Sequence, residues 1–432
     1  MTDHTVDPEL GSWLPVPVGS DFPIQNLPFG VFHQVGDTPR MGVAIGNRIL
    51  DLDIIAEAGL FDGHVELDWG FFASDSINPL LAKGPETWRA VRERVSDLLS
   101  FENREIRDTW GLAEKALVPM PEAQMLLPVA IGDFVDFFSS VEHATNLGKL
   151  FRPDGEPLLQ NWRYLPVGYH GRSATVVVSG TPVVRPRGQV KPKEGPPQWI
   201  ASRKLDFELE LGFIVGPGNE LGSRIKTEDA AEHVFGVVLV NDWSARDIQQ
   251  WESQPLGPFL GKSFATSISS WVVPMDALAP YRVPSPEQEP PVQYYLVTEG
   301  DWGLDMNLEV AITTRDQLEH EQEPNVVAVA NARDIYWTMP QQLAHVTVNG
   351  AVTRPGDLFA TGTISGAEPG SQGSMIELTL NGDHPLKLAD GTERTFIRDG
   401  DTVVMRGWAG GDGRPRIGFG EVRGTVFPAE EG

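Results

Sequence analysis

Three short apolar stretches near the start of the chain alternate with turn signals and predict a small antiparallel sheet. The stretches are residues 29–33, 41–45 and 48–52, and Gly36-Asp37 and Gly46-Asn47 separate them. Glycine next to asparagine or aspartate is typical of tight hairpin turns. We therefore expect a small barrel of hairpins in this region.

An amphipathic helix is predicted at residues 86–100. Its apolar side chains recur at three- and four-residue steps and form one stripe, which consists of Trp88, Val91, Val95 and Leu98. Prolines at 119, 121 and 128 follow and indicate a crossing into a second, larger domain. We expect domains at residues 1–125 and 126–432.

The segment 206–211 reads DFELEL and predicts a strand with one acidic and one apolar face. Alternate side chains of a strand share a face, so Glu208 and Glu210 point the same way. The apolar face consists of Phe207, Leu209 and Leu211. The strand is therefore either anchored in a core with its carboxylates in a cavity, or half exposed with its polar face in water.

Two further acids favour the cavity interpretation. Asp242 comes directly after the apolar run 235–240, and Asp136 lies among phenylalanines in GDFVDFFSS. Carboxylates without sulfur ligands form an oxygen cage, which suits Ca²⁺, Mg²⁺ or Mn²⁺ better than zinc.

The segment that follows Asp136 contains His143, seven residues or two helical turns further along. The two side chains share a face if the segment is helical throughout, and a loop at 138–140 would weaken that inference. Residues 241–262 combine charges of both signs with glycine and proline, which predicts an irregular site loop or, alternatively, a solvated face. Strands are predicted at 361–366 and 374–380, the latter with Glu377 on its polar face.

Composition excludes several classes of function. The 432 residues carry 60 acids against 34 bases, a formal net charge of −26, which opposes binding to nucleic acid or to anionic membranes. There is no cysteine, so disulfides, thiolate metal sites and a cysteine nucleophile are excluded. Residues 1–12 are acidic and lack an apolar core, so a cytoplasmic location is expected.

Motifs of several common enzyme classes are absent from the sequence. No GxSxG, HExxH, Walker A or complete GxGxxG signature occurs, which argues against serine hydrolases, zincins and nucleotide-binding enzymes. Any of the nine histidines could be a general base, but a histidine considered without its surroundings is more often a hydrogen-bonded structural residue than a base.

Long motifs between residues 130 and 425 closely resemble the fumarylacetoacetase family. They include DFVDFFSSVEHATNLGKLFR, LDFELELGFIVGPGN, FGVVLVNDWSARDIQQWE, YWTMPQQLAHVTVNG and RPGDLFATGTISG. The resemblance implies a mixed, β-rich fold with a small N-terminal SH3-like barrel and a C-terminal mixed β-roll domain, assembled as a homodimer. It also implies hydrolysis of a carbon–carbon bond in fumarylacetoacetate, giving fumarate and acetoacetate, the last step of tyrosine and phenylalanine catabolism.

The resemblance also assigns metal ligands. For Ca²⁺ they are the four acids that the pattern favours, namely Asp136, Glu208, Glu210 and Asp242. A second site, for Mg²⁺, would use Asp242, Lys262 and Thr266.

The catalytic and substrate-binding roles follow from the same motifs. His143 would be the general base, with Glu377 as its orienting carboxylate. The groups that hold the developing negative charge would be Arg246, Gln249 and Lys262. The substrate contacts would include Arg152, Tyr169, Gln249 and Thr363.

Two positions depart from the family's pattern. Phe138 and Ser253 stand where the family has tyrosines that touch substrate. The identity of the acyl group is therefore less firmly implied than the reaction. The alternatives are a related acylpyruvate or acylacetoacetate hydrolase or decarboxylase of the same superfamily, and a non-catalytic binding protein, which would not need His143 with Glu377.

Overall fold

Five antiparallel strands form the N-terminal sheet in a computed structural model that describes residues 3–431. In spatial order they are Leu117–Pro119, Arg48–Asp51, Arg40–Ile45, Phe29–His33 and Gln124–Met125. The three hairpin strands expected from the sequence are all present and pair antiparallel, so the predicted hairpins are confirmed, and the SH3-like barrel stays a prediction.

The predicted amphipathic helix is also confirmed and runs from Pro85 to Leu99. Its stripe is buried, with Val91, Val95 and Leu98 fully enclosed. Trp88 packs edge-on against Phe235, with ring centroids 5.1 Å apart. The stripe therefore contacts the central sheet of the larger domain, to which Phe235 belongs.

That central sheet carries most of the site residues. Along its main path the strands are Gly168–His170, Phe134–Phe137, Leu358–Ala360, Leu209–Val215, Val234–Asn241, Thr266–Ile268 and Val176–Val178, and Val273–Pro274 also pairs with Val234–Asn241. Parallel and antiparallel pairs both occur, because Phe134–Phe137 runs parallel to Leu358–Ala360 while Leu209–Val215 runs antiparallel to its neighbours.

A second five-stranded sheet packs against the central one. Its order is Asn325–Asn331, Met306–Thr313, Thr402–Gly411, Arg414–Phe427 and Val183–Val184. Gly407 lies where the sheets meet, and a Cβ atom there would fall 2.8 Å from Cδ2 of Leu239. A larger residue at this position would force the buried Leu239 side chain to shift, so glycine allows the sheets to pack closely here. This mixed, β-rich architecture is the predicted fold class.

The α-helices are short apart from the amphipathic one. They are Leu52–Glu57, Asn78–Lys83, Pro85–Leu99, Glu105–Asp108, Leu112–Ala116, Val141–Phe151, Ala230–His233, Arg246–Glu252, Met275–Leu278, Arg315–Glu319, Met339–Thr347 and Met375–Leu378. Four two-stranded ribbons complete the chain: Arg187–Val190 with Gln198–Ala201, Leu205–Asp206 with Ser244–Ala245, Arg282–Val283 with Gly303–Leu304, and Leu386–Lys387 with Glu393–Arg394. Between residues 3 and 431, none of the helices has the length and apolar character needed to cross a membrane.

The predicted strand at 206–211 is interrupted. Leu205–Asp206 pairs with Ser244–Ala245, and a new strand begins at Leu209. Between them the N–H of Glu208 donates to the side chain of Asn241 at 3.1 Å instead of to a ladder carbonyl. The prediction of the faces still holds, because the apolar side chains enter the core.

The predicted strand at 374–380 is wrong. Met375–Leu378 is one turn of helix, and Leu380 has a positive φ of 46° and is 48% exposed. Two backbone N–H groups at the start of this turn donate to the carboxylate of Asp206, at 2.7 and 3.1 Å. A side chain from a distant segment therefore caps the helix and overrides the local alternation.

Other local predictions also need correction. The predicted strand at 361–366 is wrong, because the strand ends at Ala360 and Gly362 has a positive φ of 78°. Helix Arg246–Glu252 lies inside the segment that we expected to be irregular. Asp136 is in a strand and His143 is in helix Val141–Phe151, so the stretch between them is not helical throughout.

Candidate metal and catalytic site

Four carboxylates from three segments of the chain meet at one end of the central sheet. One oxygen each of Asp136, Glu208, Glu210 and Asp242 lies within 4.8 Å of the other three. Asp136 and Glu210 lie on strands, and Asp242 directly follows one. All four side chains are buried, so the cavity interpretation of the acidic strand is correct and the half-exposed alternative is wrong.

The electrostatics of this cluster favour a cation. Burial, together with the charges of neighbouring acids, raises the pKa of Asp136 and of Glu210 well above the usual range. Oδ1 of Asp136 and both carboxylate oxygens of Glu210 are buried without a hydrogen-bond partner. Such oxygens are costly unless they are compensated, and a hard divalent ion accepts carboxylate oxygens as ligands. The donor set therefore fits Ca²⁺ or Mg²⁺ chemistry.

Lys262 and Thr266 both contact Asp242. Nζ of Lys262 donates to Oδ2 of Asp242 at 2.8 Å and also to Glu208, and Oγ1 of Thr266 donates to Oδ1 of Asp242 at 2.7 Å. Although burial alone would lower it, these carboxylates raise the pKa of Lys262. A protonated ammonium has no lone pair to offer a metal. Of the three predicted Mg²⁺ ligands, only Asp242 and Thr266 thus present side-chain oxygens.

Arg246 neutralises another part of the cluster. Its Nε donates to Asp206 at 2.8 Å, and its Nη1 lies 2.6 Å from Oε1 of Glu208. Burial alone would raise the pKa of Glu208, but Arg246 and then Lys262 hold it well below the usual range. Nη2 of Arg246 is buried without a partner and remains available to a ligand. Gln249 follows one turn later and accepts from Nη1 at 3.2 Å.

The predicted base and its predicted partner are in contact. Nδ1 of His143 lies 2.6 Å from Oε2 of Glu377, and both side chains are buried. With Glu377 ionised, neutral His143 carries its proton on Nδ1, which leaves Nε2 as an acceptor. Burial would raise the pKa of Glu377, but His143 and the neighbouring hydrogen-bond donors lower it.

Two of the predicted substrate contacts, Phe138 and Tyr169, touch these groups, and a third, Thr363, is buried. The ring of Phe138 packs edge-on against the His143 imidazole, with centroids 5.3 Å apart. Tyr169 donates its hydroxyl to Asp242 at 3.1 Å. Oγ1 of Thr363 is buried and has no partner.

Two further predicted contacts, Arg152 and Ser253, bind elsewhere, and the sixth, Gln249, accepts from Arg246. Arg152 is exposed, and its guanidinium donates to the carbonyl of Pro157 at 2.8 Å. Ser253 ends helix Arg246–Glu252, and its hydroxyl donates to the carbonyl of Gln249 at 2.5 Å. Neither side chain hydrogen-bonds a residue of the carboxylate cluster.

The sequence analysis missed Asp206, which is fully buried and supports both Arg246 and the helix of Glu377. Its place in DFELEL, on the same face as the two glutamates, was an available signal. It also missed three donors to Glu377, namely Asn146, Ser365 and Ser374. The contacts of Asn146 and Ser365 depend on the tertiary fold, whereas Ser374 lies only three residues before Glu377, and this serine–glutamate spacing was an available signal.

The fold and the site together define a class of protein: a β-rich protein with a buried cluster of carboxylates that could hold a cation, next to a histidine–carboxylate pair. Two family models match the chain, fumarylacetoacetase N-terminal at residues 25–128 and fumarylacetoacetate (FAA) hydrolase C-terminal at residues 134–427. The chain belongs to the fumarylacetoacetase family.

Individual relatives agree with the family models. The chain is 48% identical over 425 residues to fumarylacetoacetase of Oryza sativa, with 97% of this chain and 98% of the relative covered. It is 49% identical over 421 residues to fumarylacetoacetase of Homo sapiens, with 97% and 99% covered. A solved fumarylacetoacetate hydrolase from Exiguobacterium antarcticum shares the fold, with a TM-score of 0.50, 17% identity, and 94% of this chain and 100% of that chain covered.

Proposed function

We propose that this protein is a hydrolase that cleaves fumarylacetoacetate with water to fumarate and acetoacetate, as the last step of tyrosine and phenylalanine catabolism. The observation that carries the proposal is its 48–49% identity, over 97% of the chain, to proteins named fumarylacetoacetase. The contact between His143 and Glu377 beside the carboxylate cluster supports it, since a base next to a cation site suits the activation of water.

We assign the catalytic cation, Ca²⁺, to the four carboxylates, and a second cation, Mg²⁺, to Asp242 and Thr266 with Lys262 nearby. When bound, the catalytic ion supplies a Lewis acid that polarises the carbonyl oxygens of a diketone. The support is the chemistry of the donors, because unpaired carboxylate oxygens of Asp136 and Glu210 lie in a buried cluster. Ca²⁺ is assigned to this cluster because hard cations with flexible coordination suit several carboxylates.

In this proposal His143 is the general base. Its Nε2 takes a proton from water, and the oxygen adds to the carbonyl carbon under attack. Glu377 stabilises the imidazolium through Nδ1. The carbon–carbon bond then breaks, its electron pair leaves with the acetoacetate carbon, and the proton held on His143 can be returned to that carbon.

The negative charge that develops in this reaction would be stabilised by Arg246, Gln249 and Lys262. The unpaired Nη2 of Arg246 is the strongest candidate, because the other donors of this side chain already bind protein groups. Lys262 is held between Glu208 and Asp242 and contributes its charge.

The substrate would contact residues next to the carboxylate cluster and His143. Thr363 offers an unpaired buried hydroxyl, and Tyr169 and Phe138 lie beside Asp242 and His143. Arg152 would have to leave Pro157, and Ser253 would have to leave Gln249, to bind substrate directly.

We further propose a homodimer, a domain boundary between residues 125 and 126, and a cytoplasmic location. A homodimer is supported by large exposed apolar side chains close to the site, among them Leu256 at 94% and Phe259 at 60% exposure. The boundary is proposed between residues 125 and 126; the N-terminal family model ends at 128 and the C-terminal one begins at 134, a few residues further along. The cytoplasmic location rests on the sequence alone.

The decisive experiment follows the loss of diketone absorbance. The purified protein should consume fumarylacetoacetate, lose activity with a chelator, and regain it with Ca²⁺. An acylpyruvate and a shorter acylacetoacetate serve as competing substrates. Faster cleavage of either one would assign the protein to a different reaction of the same superfamily.

A further inference from the structure

Asn146 holds the oxygen of Glu377 that faces away from the base. Its Nδ2 donates to Oε1 at 2.9 Å, whereas His143 contacts Oε2 at 2.6 Å. Of the hydrogen bonds to Glu377 among residues 3–431, only the one from Asn146 reaches Oε1. Residues three apart on a helix project from the same side, so Val141–Phe151 presents both the base and this donor.

The other oxygen of Glu377, Oε2, accepts more hydrogen bonds. The hydroxyls of Ser365 and Ser374 donate to Oε2 at 3.0 and 2.6 Å. The Glu377 side chain thus accepts four hydrogen bonds although it is almost completely buried. Hydrogen bonds to a carboxylate favour its ionised form and offset the cost of burial.

We propose that Asn146 is a positioning residue for the reaction. It fixes the rotation of the Glu377 carboxylate, so that Oε2 stays hydrogen-bonded to Nδ1 of His143. The terminal torsion of a glutamate is soft, and the hydrogen bond from Asn146 at Oε1 adds a second point of attachment that opposes its rotation, beside the three hydrogen bonds at Oε2. With both oxygens held, the proton stays on Nδ1 and Nε2 points its lone pair at water. The kinetic part of this inference rests on the proposed function.

Two variants separate the donor from the shape of Asn146. Asn146→Ala removes the donor, and Asn146→Asp keeps the size but replaces the donor with a second carboxylate. We expect kcat to fall on the order of 10- to 100-fold in Asn146→Ala, with KM little changed, because the side chain orients the base's partner. Asn146→Asp should lose at least as much, since two adjacent carboxylates repel. Lys149→Ala, at an exposed position of the same helix, is the control and should behave as wild type.

The pH profile and a proton resonance exclude a merely structural role. Loss of the donor raises the pKa of Glu377. The acidic side of the pH profile of kcat should therefore move to higher pH in Asn146→Ala. The low-field proton resonance of Nδ1 of His143, assigned by its absence from His143→Ala, should be present in wild type and lost or broadened in Asn146→Ala.

Two outcomes overturn the inference. The first is a wild-type kcat in Asn146→Asp. The second is a lower melting temperature in Asn146→Ala with an unchanged Nδ1 resonance and an unchanged acidic side of the pH profile of kcat. Failure of the proposed function is recognised separately. In that case wild type and Lys149→Ala both leave fumarylacetoacetate intact, and the resonance alone decides the role of Asn146.

Discussion

Arg246 and Asp206 form a buried ion pair that joins the two halves of the candidate site. Nε of Arg246 donates to Oδ2 of Asp206 at 2.8 Å, and neither side chain is more than 2% exposed. The same carboxylate accepts the first two N–H groups of helix Met375–Leu378, which carries Glu377. One acid therefore fixes both the guanidinium beside Glu208 and the helix that carries Glu377, the partner of the proposed base His143.

Asp206→Asn should destabilise the protein and reduce turnover together. The variant leaves Arg246 with less compensation in a buried site, and breaking such a pair costs about 3 to 5 kcal/mol. Urea unfolding measures the loss. Asp399→Asn is the control, because Asp399 pairs with Arg185 at 2.7 Å but is 39% exposed, and it should change stability by less than about 1 kcal/mol. Equal stability of the two variants would contradict the role of Asp206.

Glu210→Gln should abolish tight binding of the divalent ion. Both oxygens of Glu210 are buried without a protein partner, so the site loses a charged ligand and no existing hydrogen bond. Calorimetric titration of chelator-treated protein with Ca²⁺ and Mg²⁺ measures the affinity. Ca²⁺ should raise the melting temperature of wild type and of the control Glu309→Gln but leave that of Glu210→Gln unchanged. A normal rise in Glu210→Gln would show that the ion binds elsewhere.

His143→Ala should retain the ion and lose turnover. General base catalysis contributes about 10²- to 10⁴-fold, and His143 is the histidine paired with Glu377. Steady-state kinetics with fumarylacetoacetate give kcat, and elemental analysis gives the metal content. Glu377→Gln should reduce kcat less, since it disturbs only the orientation and charge of the base. Near-normal kcat in His143→Ala would require another base.

Protonation of Glu377 should lower the free energy of unfolding at acidic pH. Its pKa is below its ordinary value of 4.5 in the folded protein, so the unfolded chain takes up the proton first as the pH falls. The stabilisation is complete above about pH 4.5 and is lost as the pH falls through the folded-state pKa. Urea unfolding between about pH 6 and about pH 3 should show a steeper acid loss for wild type than for Glu377→Gln, which has no proton to gain. Parallel curves would contradict this.

Phe138→Tyr should lower KM for fumarylacetoacetate with kcat little changed. The ring of Phe138 already packs on His143, and a phenol there adds one hydrogen bond, worth about 0.5 to 1.5 kcal/mol. Kinetics on the variant measure the change, and Phe137→Tyr, at a buried neighbouring position, is a control that should not improve KM. A higher KM in Phe138→Tyr, together with faster cleavage of a shorter acylacetoacetate by wild type, would point to a different substrate.

The sequence by itself determined the local elements and much of the site's composition. Alternation and helical spacing depend only on backbone geometry, so they located the hairpin strands, the helix at residues 85–99 and the shared face of Glu208 and Glu210. Family motifs then added His143 and Glu377.

The tertiary structure alone decided how these pieces support one another. The carboxylate of Asp206 caps a helix 169 residues away, and His143 meets Glu377 across 234 residues. No pattern within one segment encodes such contacts, because they depend on how the sheets and loops pack. For the same reason alternation predicted a strand at 374–380 where a distant carboxylate stabilises a helical turn.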